Sequence, residues 1–246
     1  MKTVILCGGR GTRLNELGKV VPKALVEIGG QPIIWHLMHL YAAHGFNDFH
    51  LCLGHLGHKI REYFGSSGSV ENHVSFPVTE ETNWNVSLFD TGEDTNTGGR
   101  IAMIADALKS EERFFVTYGD GLADVDIEDL LEFHRKHGKL ATMTTVHPRS
   151  PFGVVEIGED GAVTSFREKP RLDVWINGGF FVFERNVLDL LGGDPVLEEG
   201  PLETLAADGE LMAFRHTGFW KCMDTYKDSL EFNSLWKGGA PWKVWK

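Results

Sequence analysis

A chain of 246 residues is long enough to bury one large core, and 42% hydrophobic with 24% charged residues is the composition of a globular protein. No apolar stretch reaches the roughly 18 residues that a membrane span needs, so a membrane is not among the expected partners. The formal net charge of −11 argues against nucleic acid as the main partner, and a polyanionic ligand would have to meet cations gathered locally.

Residues 3–7 form an apolar run that breaks into Gly8-Gly9-Arg10-Gly11-Thr12-Arg13-Leu14, with Pro22-Lys23 following. An apolar run ending in glycines predicts a buried strand feeding a phosphate-binding turn. Without Cβ atoms the backbone N–H groups can close around a polyphosphate, and Arg13 and Lys23 add cations. Two better-known glycine motifs are excluded. Leu14 stands where the dinucleotide fingerprint needs its third glycine, and no lysine follows Gly11 in the P-loop register. A tight turn with no ligand remains the local alternative.

Ile33, Ile34, Leu37, Met38 and Tyr41 predict a helix over 33–41. A strand is expected over 49–53, a short helix including 59–64, a glycine- and serine-rich loop at 65–72, and strands over 74–78 and 86–89. Ile101, Ile104, Ala105 and Leu108 mark one amphipathic helix opened by Gly98-Gly99. The dense run 114–118 predicts a strand covered on both faces, and Asp126 an N-cap for a helix carrying Ile127, Leu130 and Leu131. Such alternation argues a mostly parallel α/β sheet with helices on both sides. Residues 8–13 and 119–121 then share one crevice at the carboxyl ends of strands.

Beyond residue 139 the chain becomes strand-rich, with runs at 140–146, 154–157, 163–166 and 175–183 and a hairpin turn at Glu159-Asp160-Gly161. Helices are expected over 201–208 and 225–236. Without a linker or repeat, residues 1–246 read as one domain with halves at 1–138 and 139–246.

The combination G-G-x-G-T-R-L with a later P-K resembles the signature of the sugar-1-phosphate nucleotidyltransferases. The resemblance runs nearly end to end, through Asp90-Thr91-Gly92, Thr97-Gly98-Gly99-Arg100, Tyr118-Gly119-Asp120-Gly121, Glu168-Lys169-Pro170, Ile176-Asn177-Gly178-Gly179-Phe180-Phe181 and Met223-Asp224-Thr225. The T-G-G-R, I-N-G-G-F-F and A-P-W-K segments are similar to the cytidylyl branch. The resemblance implies a Rossmann-like mixed sheet with a strand-rich sugar-binding half. It also implies transfer of a cytidylyl group from CTP to a hexose 1-phosphate, glucose 1-phosphate foremost, with Mg2+ and release of pyrophosphate. A nucleotidyltransferase for another base or acceptor phosphate, and a non-catalytic nucleotide-sugar sensor, are the alternatives.

Asp120 lies between two glycines at a strand end, where a carboxylate suits magnesium; locally it also reads as a turn residue. The resemblance makes Asp224 the second metal ligand, although Asp before Thr at a helix start also reads as an ordinary cap. It gives Arg13 the leaving pyrophosphate and Lys23 the α-phosphate, and makes Arg13, Lys23 and Asp120 the catalytic residues. It places the nucleoside against Leu6, Cys7 and Gly8, and Gly98-Gly99-Arg100; Gly9, Gly11, Thr12 and Gly119 complete the nucleotide set. The sugar site it implies is Gly153, Glu168, Lys169, Asn177 and Gly178. The chain departs from the family at Ala24 and at Lys221-Cys222, and 65–84 is short for the cytidylyl branch.

Cys7, Cys52 and Cys222 are odd in number and widely spaced, which predicts free thiols and a reducing compartment. The start of the chain lacks a signal-peptide pattern, so the cytoplasm is the expected location. His36/His39 and His55/His58 have the spacing of helix-face pairs, but no matching cluster makes them zinc ligands. Trp236, Trp242 and Trp245 read as packing residues, with an interface between copies as the second reading; a homo-oligomer is expected.

Overall fold

The structure, a computed structural model, describes residues 1–11, 20–65, 74–78 (backbone alone) and 83–245. It begins with β1 (Thr3–Leu6), buried throughout, and after a 3-10 turn at Lys23–Leu25 makes a small hairpin of β2 (Glu27–Ile28) and β3 (Gln31–Pro32). Then come α1 (Ile33–Ala43), β4 (Asp48–Leu53), α2 (Gly57–Tyr63), β5 (Val74–Val78) and β6 (Trp84–Asp90). Helices α3 (Thr97–Met103) and α4 (Ala105–Leu108) lead to β7 (Arg113–Tyr118), β8 (Gly121–Ala123) and α5 (Ile127–His137). The remainder runs β9 (Ala141–Val146), β10 (Val154–Ile157), β11 (Val163–Arg167), β12 (Ile176–Glu184), α6 (Pro201–Ala207), β13 (Leu211–Arg215), β14 (Trp220–Cys222) and α7 (Tyr226–Lys237).

Among the described residues eight strands form the central sheet, in the order β13-β9-β12-β7-β1-β4-β6-β5. Only β12 and β5 run against the others, so the sheet is mixed and mostly parallel, as the alternation predicts. The dense run in β7 has a physical reason. Phe115 packs with Ile5 in one core, while Phe114 and Val116 pack with Val4 in the other. A strand covered on both faces has no polar side to show, and each buried phenylalanine contributes about 1.5–3 kcal/mol.

Helices α1, α5 and α7 supply Ile34, Leu130 and Phe232 to the first core. Helices α3, α4 and α6 supply Ile101, Leu108 and Leu205 to the second. The single helix expected around 101–108 is in fact two, because Ile104 leaves helical backbone at φ −105, ψ 12; its side chain is nonetheless buried with the others. Asp126 caps α5 as expected, accepting from Asp129 N at 2.9 Å. Gly65 apart, the loop expected at 65–72 lies outside the described residues.

One small element does most to place the site. Strand β8 leaves the carboxyl end of β7 and pairs antiparallel with β14, with Cys222 opposite Gly121. Met223 N then donates to Asp120 O at 2.8 Å. The ribbon thereby carries residues from late in the chain to the rim where the glycine turn begins.

Candidate active site

The carboxyl ends of β1 and β7 meet at a cavity of about 330 Å³. Leu6, Cys7, Gly8 and Gly9 line one side, and Tyr118, Gly119 and Asp120 another. Lys23, Ala24, Thr97 and Arg100 also line it. Among the residues expected around a nucleotide, Gly11 takes φ +57, while Thr12 and Arg13 lie outside the described residues. Gly98 and Gly99 are not among the lining residues, and both of their N–H groups donate to Pro195 O, at 3.0 and 3.2 Å.

Lys23 is the centre of the charged part of the site. Its Nζ donates to Asp120 Oδ2 at 2.6 Å and to Asp224 Oδ1 at 2.7 Å. Burial pulls the ammonium down, but Asp120 and then Asp224 outweigh it and hold Lys23 above the ordinary lysine value. Asp224 does not cap α7. Thr225 does, in a capping box with Asp228 that contributes about 1 kcal/mol. Asp224 is left to turn toward Lys23, with Cys222 Sγ donating to its Oδ2 at 3.4 Å.

The departure at Lys221 has a structural account. Its Nζ lies 2.7 Å from Asp228 and 2.8 Å from Glu231, so it ties β14 to the first turns of α7 and fixes the segment that carries Asp224. Ala24, the other departure, is buried against the cavity.

Arg100 is buried to 4% exposure and both terminal nitrogens of its guanidinium are engaged. Nη1 donates to Leu53 O, Thr91 Oγ1 and Gly92 O at 3.0, 2.8 and 2.8 Å. Nη2 donates to Gly8 O and Glu93 O at 3.2 and 3.3 Å. Glycine is required at position 8, because a Cβ there would lie 2.1 Å from Arg100 Cζ. Arg100 thus clamps the glycine turn from beneath.

The five residues expected at a sugar fall into two groups, and none of them is part of the cavity lining. Gly153 packs on Phe166 and Glu168 beside β10 and β11, and Glu168 pairs with Lys169 at 3.5 Å. Asn177 and Gly178 sit on β12, where Asn177 Nδ2 donates to the Tyr118 hydroxyl at 3.1 Å and Trp220 Nε1 donates to Gly178 O at 2.8 Å. Sequence reasoning missed Glu198 and the Tyr118 hydroxyl, which hydrogen-bond across 80 positions. Glu198-Glu199-Gly200 has the look of a solvated turn, and no local signal sets it apart.

A mostly parallel sheet with a glycine turn and a pair of carboxylates at its carboxyl rim defines the class of α/β nucleotide-binding proteins. Comparison with known proteins narrows this. Residues 2–221 match the Nucleotidyl transferase family, and the chain belongs to it. Over its whole length the chain is 48% identical to the glucose-1-phosphate cytidylyltransferase of Salmonella typhi, all of which it covers. It is 31% identical, over 96% of its length, to the mannose-1-phosphate guanylyltransferase catalytic subunit beta of Dictyostelium discoideum, covering 64% of that protein. The solved structure of HddC from Yersinia pseudotuberculosis shares the fold, with a TM-score of 0.72 at 22% identity over 96% of this chain and 99% of that one.

Proposed function

We propose that this nucleotidyltransferase moves a cytidylyl group from CTP to glucose 1-phosphate, giving CDP-glucose and pyrophosphate. The observation that carries the chemistry is the convergence of Asp120 and Asp224 on Lys23 beside the glycine turn. The choice of base and sugar is supported by full-length likeness to a cytidylyltransferase at 48% identity.

An oxygen of the sugar phosphate attacks the α-phosphorus of CTP. The bond from that phosphorus to the β-bridging oxygen breaks, and pyrophosphate leaves with the electron pair. The attacking phosphate is already anionic at neutral pH, so no general base is needed and catalysis is positioning plus charge stabilisation. In this reading the glycine turn around Gly8 and Gly9 cradles the phosphates, and Lys23 meets the α-phosphate. The resemblance assigns Arg13 to the leaving pyrophosphate, Glu168 and Asn177 to the sugar, and Lys169 to its phosphate.

Two carboxylate oxygens facing one cation fit Mg2+, which takes oxygen ligands and commonly completes its shell with water and substrate phosphates. Among the described residues no cluster of three or more His, Cys, Asp or Glu competes for it. When bound, the ion supplies charge neutralisation for the crowded phosphates.

The reading also carries a cytoplasmic homo-oligomer. Free Cys7, Cys52 and Cys222 support the reducing compartment. The ribbon of β10 and β11 supports a second copy, with Ile157, Val163 and Phe166 exposed to 67, 61 and 65%.

The test is pyrophosphate release from CTP, UTP, dTTP, ATP and GTP, each crossed with several hexose 1-phosphates. Release is expected for CTP with glucose 1-phosphate and only when both are present, and Asp120→Asn is expected to lower it at least about a hundredfold. CTP binding without turnover on any sugar phosphate would reject the reading.

A further inference from the structure

Four side chains form one hydrogen-bond chain along the wall of the cavity. Asn177 Nδ2 donates to the Tyr118 hydroxyl at 3.1 Å, the Tyr118 hydroxyl donates to Glu198 Oε1, and Thr97 Oγ1 donates to Glu198 Oε2 at 2.8 Å. At one end Asn177 Oδ1 accepts from Gly179 N at 2.8 Å, and at the other Thr97 Oγ1 accepts from Leu197 N at 2.9 Å. The members come from β12, the last residue of β7, the segment before α6, and the first residue of α3. Tyr118 and Thr97 both line the cavity.

Chemistry fixes the direction of every link. An ionised carboxylate only accepts, so both hydroxyls must donate to Glu198. The single Tyr118 proton is then used, and Tyr118 can only accept from Asn177. The Asn177 amide is therefore held with its nitrogen toward Tyr118. Gly179 N–H, which can only donate, requires the same orientation independently. Burial, followed by the Glu198 carboxylate, pushes the Tyr118 hydroxyl above its ordinary range, so the proton stays in place.

The backbone around Asn177 is bent to make this contact. The β12–β9 ladder breaks between Asn177 and Phe181, Gly179 takes φ +76, and the buried Phe180 takes φ +47. A non-glycine residue in the left-handed region costs about 1–2 kcal/mol. Trp220 Nε1 on Gly178 O, with Thr144 Oγ1 on Phe180 O at 2.9 Å, holds the bulge in place.

We propose that Glu198 is a positioning residue that orients Asn177 toward the sugar phosphate through Tyr118, and fixes the Thr97 wall of the nucleotide cavity by its second oxygen. The proposal rests on the reading of Asn177 as a sugar contact. Glu198 is not among the residues lining the cavity. It couples the two substrate sites, and its two oxygens serve one site each.

Steady-state kinetics of the wild type, Tyr118→Phe, Glu198→Gln and the double variant, with melting curves, test this. Tyr118→Phe is expected to raise the KM for glucose 1-phosphate about tenfold and to leave the KM for CTP within about twofold. Glu198→Gln is expected to raise both, and the double variant to be no worse for the sugar phosphate than Glu198→Gln alone. If Glu198→Gln does not fold, the Tyr118→Phe split decides. A folded Tyr118→Phe with an unchanged sugar-phosphate KM, or an additive double variant, overturns the inference while wild-type turnover leaves the proposed function standing. A wild type inactive on CTP and glucose 1-phosphate removes both.

Discussion

Lys23 holds two carboxylates with one ammonium, and a divalent ion placed between Asp120 and Asp224 meets it as a competitor. Lys23→Met leaves like charges facing each other, which a metal ion relieves. Manganese binding measured calorimetrically without nucleotide is expected to strengthen roughly tenfold, while turnover falls about a hundredfold. An unchanged manganese constant would remove Lys23 from that competition. At this scale the sequence was informative about residue types and poor about partners. Lys23 stands out after Pro22, but Asp224 looks locally like a helix cap until Thr225 is seen to hold that position. The resemblance sets Arg100 against the nucleoside, and Arg100 does line the cavity, but that five acceptors of the surrounding segments hold its guanidinium is not visible in the sequence. Side-chain direction decides between such readings, and a one-dimensional pattern does not contain it.

Helix α1 shows how an element can carry a pH response. His36 Nε2 bonds Ile28 O at 2.9 Å and its Nδ1 accepts from Trp242 Nε1 at 3.4 Å, a pairing that needs the neutral ring. His39 stacks on Trp245 at 5.0 Å, and its Nε2 is buried without a hydrogen-bond partner. Burial lowers both histidines to about 4, with His36 and Lys243 adding to the effect on His39. The unfolded chain binds these protons near pH 6.5 while the folded one refuses them, so stability is full above that value and declines as pH falls toward 4. The melting temperature is expected to drop between pH 7.5 and 5.0, and to drop less in the His36→Gln/His39→Gln variant. Identical pH slopes would count against these two rings. Periodicity found α1 and Asp126 found the start of α5, because an apolar stripe and a cap are local signals. Strands β8 and β14 have three residues each and pair across about a hundred positions, so no window contains their signal.

For the whole molecule, alternation of apolar runs and amphipathic helices was enough to indicate a mostly parallel sheet with a ligand crevice at its carboxyl rim. The insertion of antiparallel β12 between β7 and β9 was not legible, since strand order depends on long-range packing. That insertion is what brings Asn177 to Tyr118 and joins β7 to β9. Refolding from urea gives a check at this scale. Far-ultraviolet circular dichroism is expected to recover ahead of pyrophosphate release, because the proposed turnover also needs β14 docked on β8; simultaneous recovery would contradict this order. The late arrival of Asp224 has a consequence for the living chain. A copy still being synthesised, or clipped before that residue, possesses the anion cradle and one acid but not the pair. If turnover needs both carboxylates, as proposed, a fragment ending before Asp224 is expected to release no pyrophosphate.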